Sequence, residues 1–165
     1  MAYVVTSGPA GHQRIADTST TQNHPLGTIV RAVDPTYGEG EFIYLKGVAS
    51  TAVGSLVTYN TSSFATTLAA VGANKPQPIA VAMSANVASQ YGWYQISGVA
   101  VMKKTCTVSL AANAAVGVLT AGLVAGTGSG KEIQGALVAA VASATAGRTT
   151  VQVVINRPTM QGRVS

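Results

Sequence analysis

The stretch Tyr91-Gly92-Trp93-Tyr94-Gln95-Ile96-Ser97-Gly98-Val99-Ala100-Val101-Met102 decides how the chain is read. An extended backbone sends alternate side chains to opposite faces. Tyr91, Trp93, Gln95, Ser97, Val99 and Val101 then share one side, and Tyr94, Ile96, Ala100 and Met102 the other. This is the longest strand the sequence predicts. Gly92 and Gly98 lie inside it, and glycine within a strand marks a bend or a bulge, the device that lets a sheet curl into a barrel.

On its N-terminal side the same period of two recurs in short runs separated by turn residues. Strands are expected over Thr28–Val33, ended by Asp34 and Pro35, and over Glu41–Val48, where Phe42, Tyr44 and Lys46 oppose Ile43 and Leu45. Leu56–Tyr59 and Phe64–Leu68 follow, joined through Asn60, Thr61, Ser62 and Ser63 as a hairpin loop. Lys75-Pro76-Gln77-Pro78 breaks the chain before a short strand at Ile79–Met83. On the C-terminal side strands are expected at Val116–Thr120, Leu123–Ala125, Ile133–Val141 and Thr149–Asn156, with Pro158 stopping the last. Ala, Val, Thr and Gly exceed half of the residues, a composition suited to short strands packed closely on small side chains. The expected fold is all-β, a small β-barrel or β-sandwich.

Residues 1–27 read differently. They are polar, broken by Gly8, Pro9, Gly11, Pro25 and Gly27, and show no sustained periodicity. We expect an extended N-terminal arm over 1–27, a β body over 28–158 and a short basic C-terminal tail over 159–165. An arm of this kind is costly to order alone, so it should lie across its own subunit or a neighbour.

Composition bounds the rest. A chain of 165 residues with 47% hydrophobic and 9% charged residues is one domain's worth of foldable sequence. Cys106 is the single cysteine, so no intrachain disulfide forms and its expected role is a small buried hydrophobe. Met1–Gly11 has neither a basic segment nor a sustained apolar run, which points to synthesis in the cytoplasm without a secretory signal. Thr105–Gly130 carries no charge, but its Asn, Thr, Ser and Gly content favours strand–turn–strand over a membrane span.

Several motifs approach chemistry without reaching it. Gly126-Thr127-Gly128-Ser129-Gly130-Lys131 suggests a phosphate loop, yet Ala125 stands where a glycine is needed and Glu132 where a hydroxyl would hold magnesium. His12 and His24, the only histidines, lie in the arm, where no rigid element is expected to hold them to catalytic tolerance. One Cys and two scattered His do not build a tetrahedral metal site. Asp34, Glu39 and Glu41 cluster beside Gly38 and Gly40, but without the spacing of a calcium loop. We therefore expect no enzyme activity, cofactor or metal. The net charge of +5 permits an acidic partner, while the aromatic cluster Tyr91, Trp93 and Tyr94 holds no interleaved basic residue of the kind single-stranded nucleic acid requires. Trp93, with Tyr91 beside it, is expected in the core. Tyr94, pointing oppositely, is a candidate for protein contact, together with Arg14 and His24 in the arm, Lys103 and Lys104 at the end of the long strand, and Arg157 near the C-terminus.

The runs Pro78-Ile79-Ala80-Val81-Ala82-Met83, Gln90-Tyr91-Gly92-Trp93-Tyr94-Gln95-Ile96-Ser97-Gly98-Val99-Ala100 and Val151-Gln152-Val153-Val154-Ile155-Asn156-Arg157-Pro158 resemble the head decoration, or cement, proteins of tailed bacteriophages. The resemblance covers roughly residues 40 to 158, and the Tyr-Gly-Trp-Tyr-Gln strand is its most specific part. It implies a small β-barrel or β-sandwich that attaches to the outer capsid surface of the virion, commonly as a homotrimer, and stabilises the shell by bridging major capsid protein subunits. No catalytic residue, nucleic acid or membrane is implied. The alternative is another virion component, such as a tail-tube, spike or receptor-binding protein.

Overall fold

Alternating Val, Ile, Thr and aromatic residues, punctuated by Gly and Asn turns, produce twelve strands and no helix among the described residues. The computed structural model describes residues 2–8, 11–70, 76–105, 107, 109–139 and 146–162. The strands are β1 (Val4–Ser7), β2 (Thr18–Ser19), β3 (Ile29–Asp34), β4 (Gly38–Lys46), β5 (Leu56–Tyr59), β6 (Thr66–Leu68), β7 (Ile79–Ala82), β8 (Tyr91–Lys103), β9 (Ala115–Thr120), β10 (Leu123–Gly126), β11 (Glu132–Val138) and β12 (Thr150–Met160). Their main path runs β1-β3-β4-β8-β12-β11-β9-β10. Strand β7 branches from β8 and carries β5 and then β6, and β2 also pairs with β8.

Strand β8 is the member that both halves share. Its first half pairs with β4, from Lys46 opposite Tyr91 to Phe42 opposite Gln95. Its second half pairs with β12, from Ser97 opposite Asn156 to Lys103 opposite Thr150. Between them the β4 register slips, because Glu41 faces Ser97 and Ile96 is left as an extra residue. Gly98 follows at φ 99°, and a Cβ there would lie 2.5 Å from the Glu39 carbonyl oxygen. A side chain is therefore excluded at the point where the sheet changes direction.

The bend divides the interior into three packed groups. Phe42, Tyr44 and Trp93 pack with Val30, Ala32 and Ile15 on one side of β4 and β8. Ile43, Leu45, Tyr94 and Ile96 meet Val57, Ala80 and Ala82 on the other. Ala100 and Met102 join the largest group, with Val116, Ile133, Val151, Val153 and Ile155. The two faces of β8 separate as its alternation predicts; both are buried from Trp93 to Ile96, whereas Ser97, Val99 and Val101 are only half-buried.

Three expectations need correction. The sheet is open and no barrel is closed. The β9–β10 turn meets this branch of the sheet through two backbone bonds, Leu56 N–H at the start of β5 to Gly122 O at 2.9 Å and Gly122 N–H to the carbonyl of Ala69, just after β6, at 3.0 Å. Second, the described part of residues 1–27 lies across the body of its own chain, but as strand and buried segment and not as an arm without regular structure. Strand β1 pairs with β3, β2 pairs with β8, and Ile15 and His24 are buried. Third, Pro158 does not end β12. Gln134 pairs with Thr159 and Ala136 with Ile155, so β12 sets three residues against Gly135. In this bulge Gly135 has φ 76° and Arg157 φ 44°, and a proline that donates no ladder bond is accommodated. Cys106 and Lys75 lie outside the described residues.

Candidate interaction surface

The register of the central strands builds two side-chain rows on the outer face of the sheet. The first is polar: Arg31 faces Glu41, Glu41 faces Ser97, and Ser97 faces Asn156. Arg157, re-aimed by its bulge, donates from Nη2 to Glu41 Oε2 at 3.1 Å, while Arg31 Nε stands 3.4 Å from Glu41 Oε1. One carboxylate thus ties β3, β4 and β12 together. Both arginines are largely exposed, so the pairs orient the surface more than they stabilise the fold.

Two residues further along the strands the row becomes apolar. Val99 faces Val154, Val154 faces Leu137, and Leu137 faces Ala115, which carries the row across β8, β12, β11 and β9. Leu137 and Val154 are 48% and 47% exposed, unusual for large apolar side chains in mid-strand. They border a groove of about 360 Å³ that Ala115, Gly135 and Asn156 also line. Asn156 lines the adjoining polar cleft of about 290 Å³ as well, so the surface is continuous. An apolar strip with a salt-bridged margin is the general anatomy of a protein-binding face.

The residues singled out from sequence scatter relative to this surface. Arg157 belongs to it. Lys103 is half-buried at the end of β8, where its backbone N–H donates to Gly54 O at 2.8 Å. Arg14 is exposed elsewhere, on a cleft of about 460 Å³ between residues 2–5 and 12–17. His24, Tyr94 and Lys104 are corrections, being 8%, 0% and 3% exposed. Tyr94 does point away from Trp93, but β5 and β7 cover that face, and its hydroxyl accepts from Asn86 Nδ2 at 3.0 Å. Burial pushes the Tyr94 phenol above its ordinary value, more than the hydrogen bonds lower it. Lys104 donates from Nζ to the Thr105 carbonyl at 3.1 Å. Leu137, Val154 and Glu41 carry the surface; sequence marks Glu41 only as part of an acidic cluster and does not single out the two apolar residues. Their signal lies in phase, since Val154 falls between Gln152 and Asn156 on the otherwise polar side of its strand, and Leu137 interrupts the inward set Ala136 and Val138.

The histidines are held firmly, contrary to the expectation for an arm. His12 and His24 stack at 5.7 Å, and His24 contacts Tyr44 at 5.1 Å and Trp93 at 5.4 Å. Asp34 caps its own turn by accepting from Thr36 and Tyr37 N–H at 2.8 and 3.1 Å. Among the described residues no group of three or more His, Cys, Asp or Glu is placed to hold a metal, and no helix is long and apolar enough to cross a membrane. The chain matches no protein-family model, no curated protein and no solved structure.

Proposed function

We propose that this protein is a non-enzymatic virion component that binds the outside of a phage capsid and stabilises it by bridging neighbouring major capsid protein subunits. The observation that carries the reading is the outer row Val99–Val154–Leu137–Ala115, with Val154 and Leu137 exposed at its centre, and its Arg31–Glu41–Arg157 margin. A flat apolar row on hydrogen-bonded strands loses little conformational freedom on docking, so most of the gain from removing it from water is kept, at about 25 cal/mol per Å² of apolar area. The polar margin fixes orientation, and a net charge of +5 favours encounter with an acidic shell. One such strip gives a modest contact. A homotrimer presenting three strips would multiply them through effective concentration. Resemblance of the Tyr91–Ala100 and Val151–Pro158 strands to head decoration proteins supplies the kind of partner.

The test is co-sedimentation with purified expanded capsids. The protein should pellet with shells at a saturable stoichiometry, and the substitution Leu137→Asp should release it. Failure of the unaltered protein to pellet at any concentration would remove the capsid from the account.

A further inference from the structure

His24 lies between β2 and β3, buried against the rings of Tyr44, Trp93 and His12. Its Nε2 accepts the backbone N–H of Gln13 at 3.2 Å, so that nitrogen carries no proton and the ring holds its hydrogen at Nδ1. Gln13 is the clasp of the whole segment. Its carbonyl accepts Trp93 Nε1–H at 2.9 Å, its Oε1 accepts the Tyr44 hydroxyl at 3.0 Å, and its Nε2 donates to Tyr91 O at 3.2 Å. His12 presses its Nε2 against Gly8, where a Cβ would lie 2.4 Å away, and that nitrogen is buried without a hydrogen-bond partner.

We propose that His24 is an acid-sensitive latch: neutral, it holds residues 11–24 against Trp93 and Tyr44, and protonated at Nε2 it releases them. The added proton turns the only acceptor facing Gln13 N–H into a second donor, so this bond is lost and a cation is left among rings. The groups that face it are Tyr44 from β4, Trp93 from β8 and His12 from its own segment; Tyr91 of β8 stacks on the far side of Tyr44, and Arg14 and Asp17 lie on the exposed side of the segment. Among the described residues no carboxylate forms an ion pair with His24, so none is in place to balance the new charge. Burial, and secondly the neighbouring His12, hold the His24 imidazole below its ordinary value. The closed form is therefore fully favoured above the ordinary histidine value of about 6.5. It loses ground as pH falls from there towards the lower closed-state value, because the open form binds the proton first.

Trp93 is the only tryptophan, so its fluorescence reports on the latch directly. Between pH 8 and pH 5 the emission should weaken and shift to the red. Amide exchange of residues 11–24, corrected for its intrinsic pH dependence, should rise by up to about 30-fold, the limit in which the closed form takes up no proton. Amides of β12, and of β8 beyond its Tyr91–Gly92 pairing with β2, should change little. His24→Gln keeps an oxygen acceptor and removes the titration, so its exchange should be flat over the same range. If that variant does not fold, the NMR titration of His24 in the unaltered protein decides. A midpoint at or above 6.5 overturns the proposal, as does exchange that is equal at pH 8 and pH 5 or a step that persists in His24→Gln.

Discussion

Replacing Gly98 by alanine tests the joint on which the two halves of the sheet turn. The φ of 99° is foreign to an L-residue, and such a conformation costs on the order of 1–2 kcal/mol. The new Cβ would meet the Glu39 carbonyl oxygen at 2.5 Å and the Gly40 Cα at 3.1 Å, both backbone atoms. Strand β4 must then shift, adding about 1–3 kcal/mol of overpacking. Reduced freedom of the unfolded chain offsets about 0.4–1 kcal/mol. The net loss is on the order of 2–4 kcal/mol, which with a urea slope of about 2 kcal/mol per M lowers the midpoint by about 1–2 M. Gly92, six positions earlier, supplies the control. Its φ is not positive, and an added Cβ would meet only the side chains of Ser84 and Asn86, at 3.2 and 3.3 Å. Gly92→Ala should move the midpoint by less than about 0.5 M. Paired urea melts measure both, and a Gly98→Ala midpoint equal to that of the unaltered protein, or a larger loss at Gly92, would refute the reasoning.

Trp93→Phe removes the indole N–H that Gln13 O accepts and part of a fully buried ring, so stability should drop by on the order of 2–4 kcal/mol. Hydrogen exchange should increase first in residues 11–24. For Asp34, burial raises the carboxyl pKa, but the N–H donors of Thr36, Tyr37 and Ala2 outweigh it and leave the group below its ordinary value. Its contribution is thus present above the ordinary carboxylate range and is lost as pH falls through the lowered value. Asp34→Asn should cost about 1–3 kcal/mol at pH 7 in urea melts, with the gap to the unaltered protein closing below about pH 4. Leu137→Asp with Val154→Asp places charge on an exposed row. It should leave the thermal midpoint within a few degrees while abolishing capsid co-sedimentation, whereas loss of folding would show that the row is structural.

Strand positions from residue 28 onward were legible because alternation is a local property, and β3 to β12 lie within a few residues of expectation. The separation of Trp93 from Tyr94 was equally legible. What the second face of β8 meets was not, since its cover comes from β5 and β7, distant in sequence and brought there by pairing. The first 27 residues mislead for a related reason. Their Gly and Pro punctuation announces loop, but Ile15 and His24 are held by Trp93 and Tyr44, contacts to which no local pattern points. Lys104 shows that a charged letter is not a surface position, because the end of β8 buries its stem and a carbonyl takes its ammonium. Pro158 was read as a stop because the bulge opposite Gly135 needs both strands to be seen at once. The interaction surface was written only faintly, as two apolar residues on the polar side of their strands.

The central claim is that the outer row of β8, β12, β11 and β9 fastens neighbouring capsid subunits together. Thermal rupture of purified expanded shells, with and without a saturating amount of the protein, measures this most directly. The account predicts that shells carrying the protein rupture at a higher temperature and that protein altered at Leu137 and Val154 gives no such increase. Identical rupture temperatures for bare and saturated shells would contradict it.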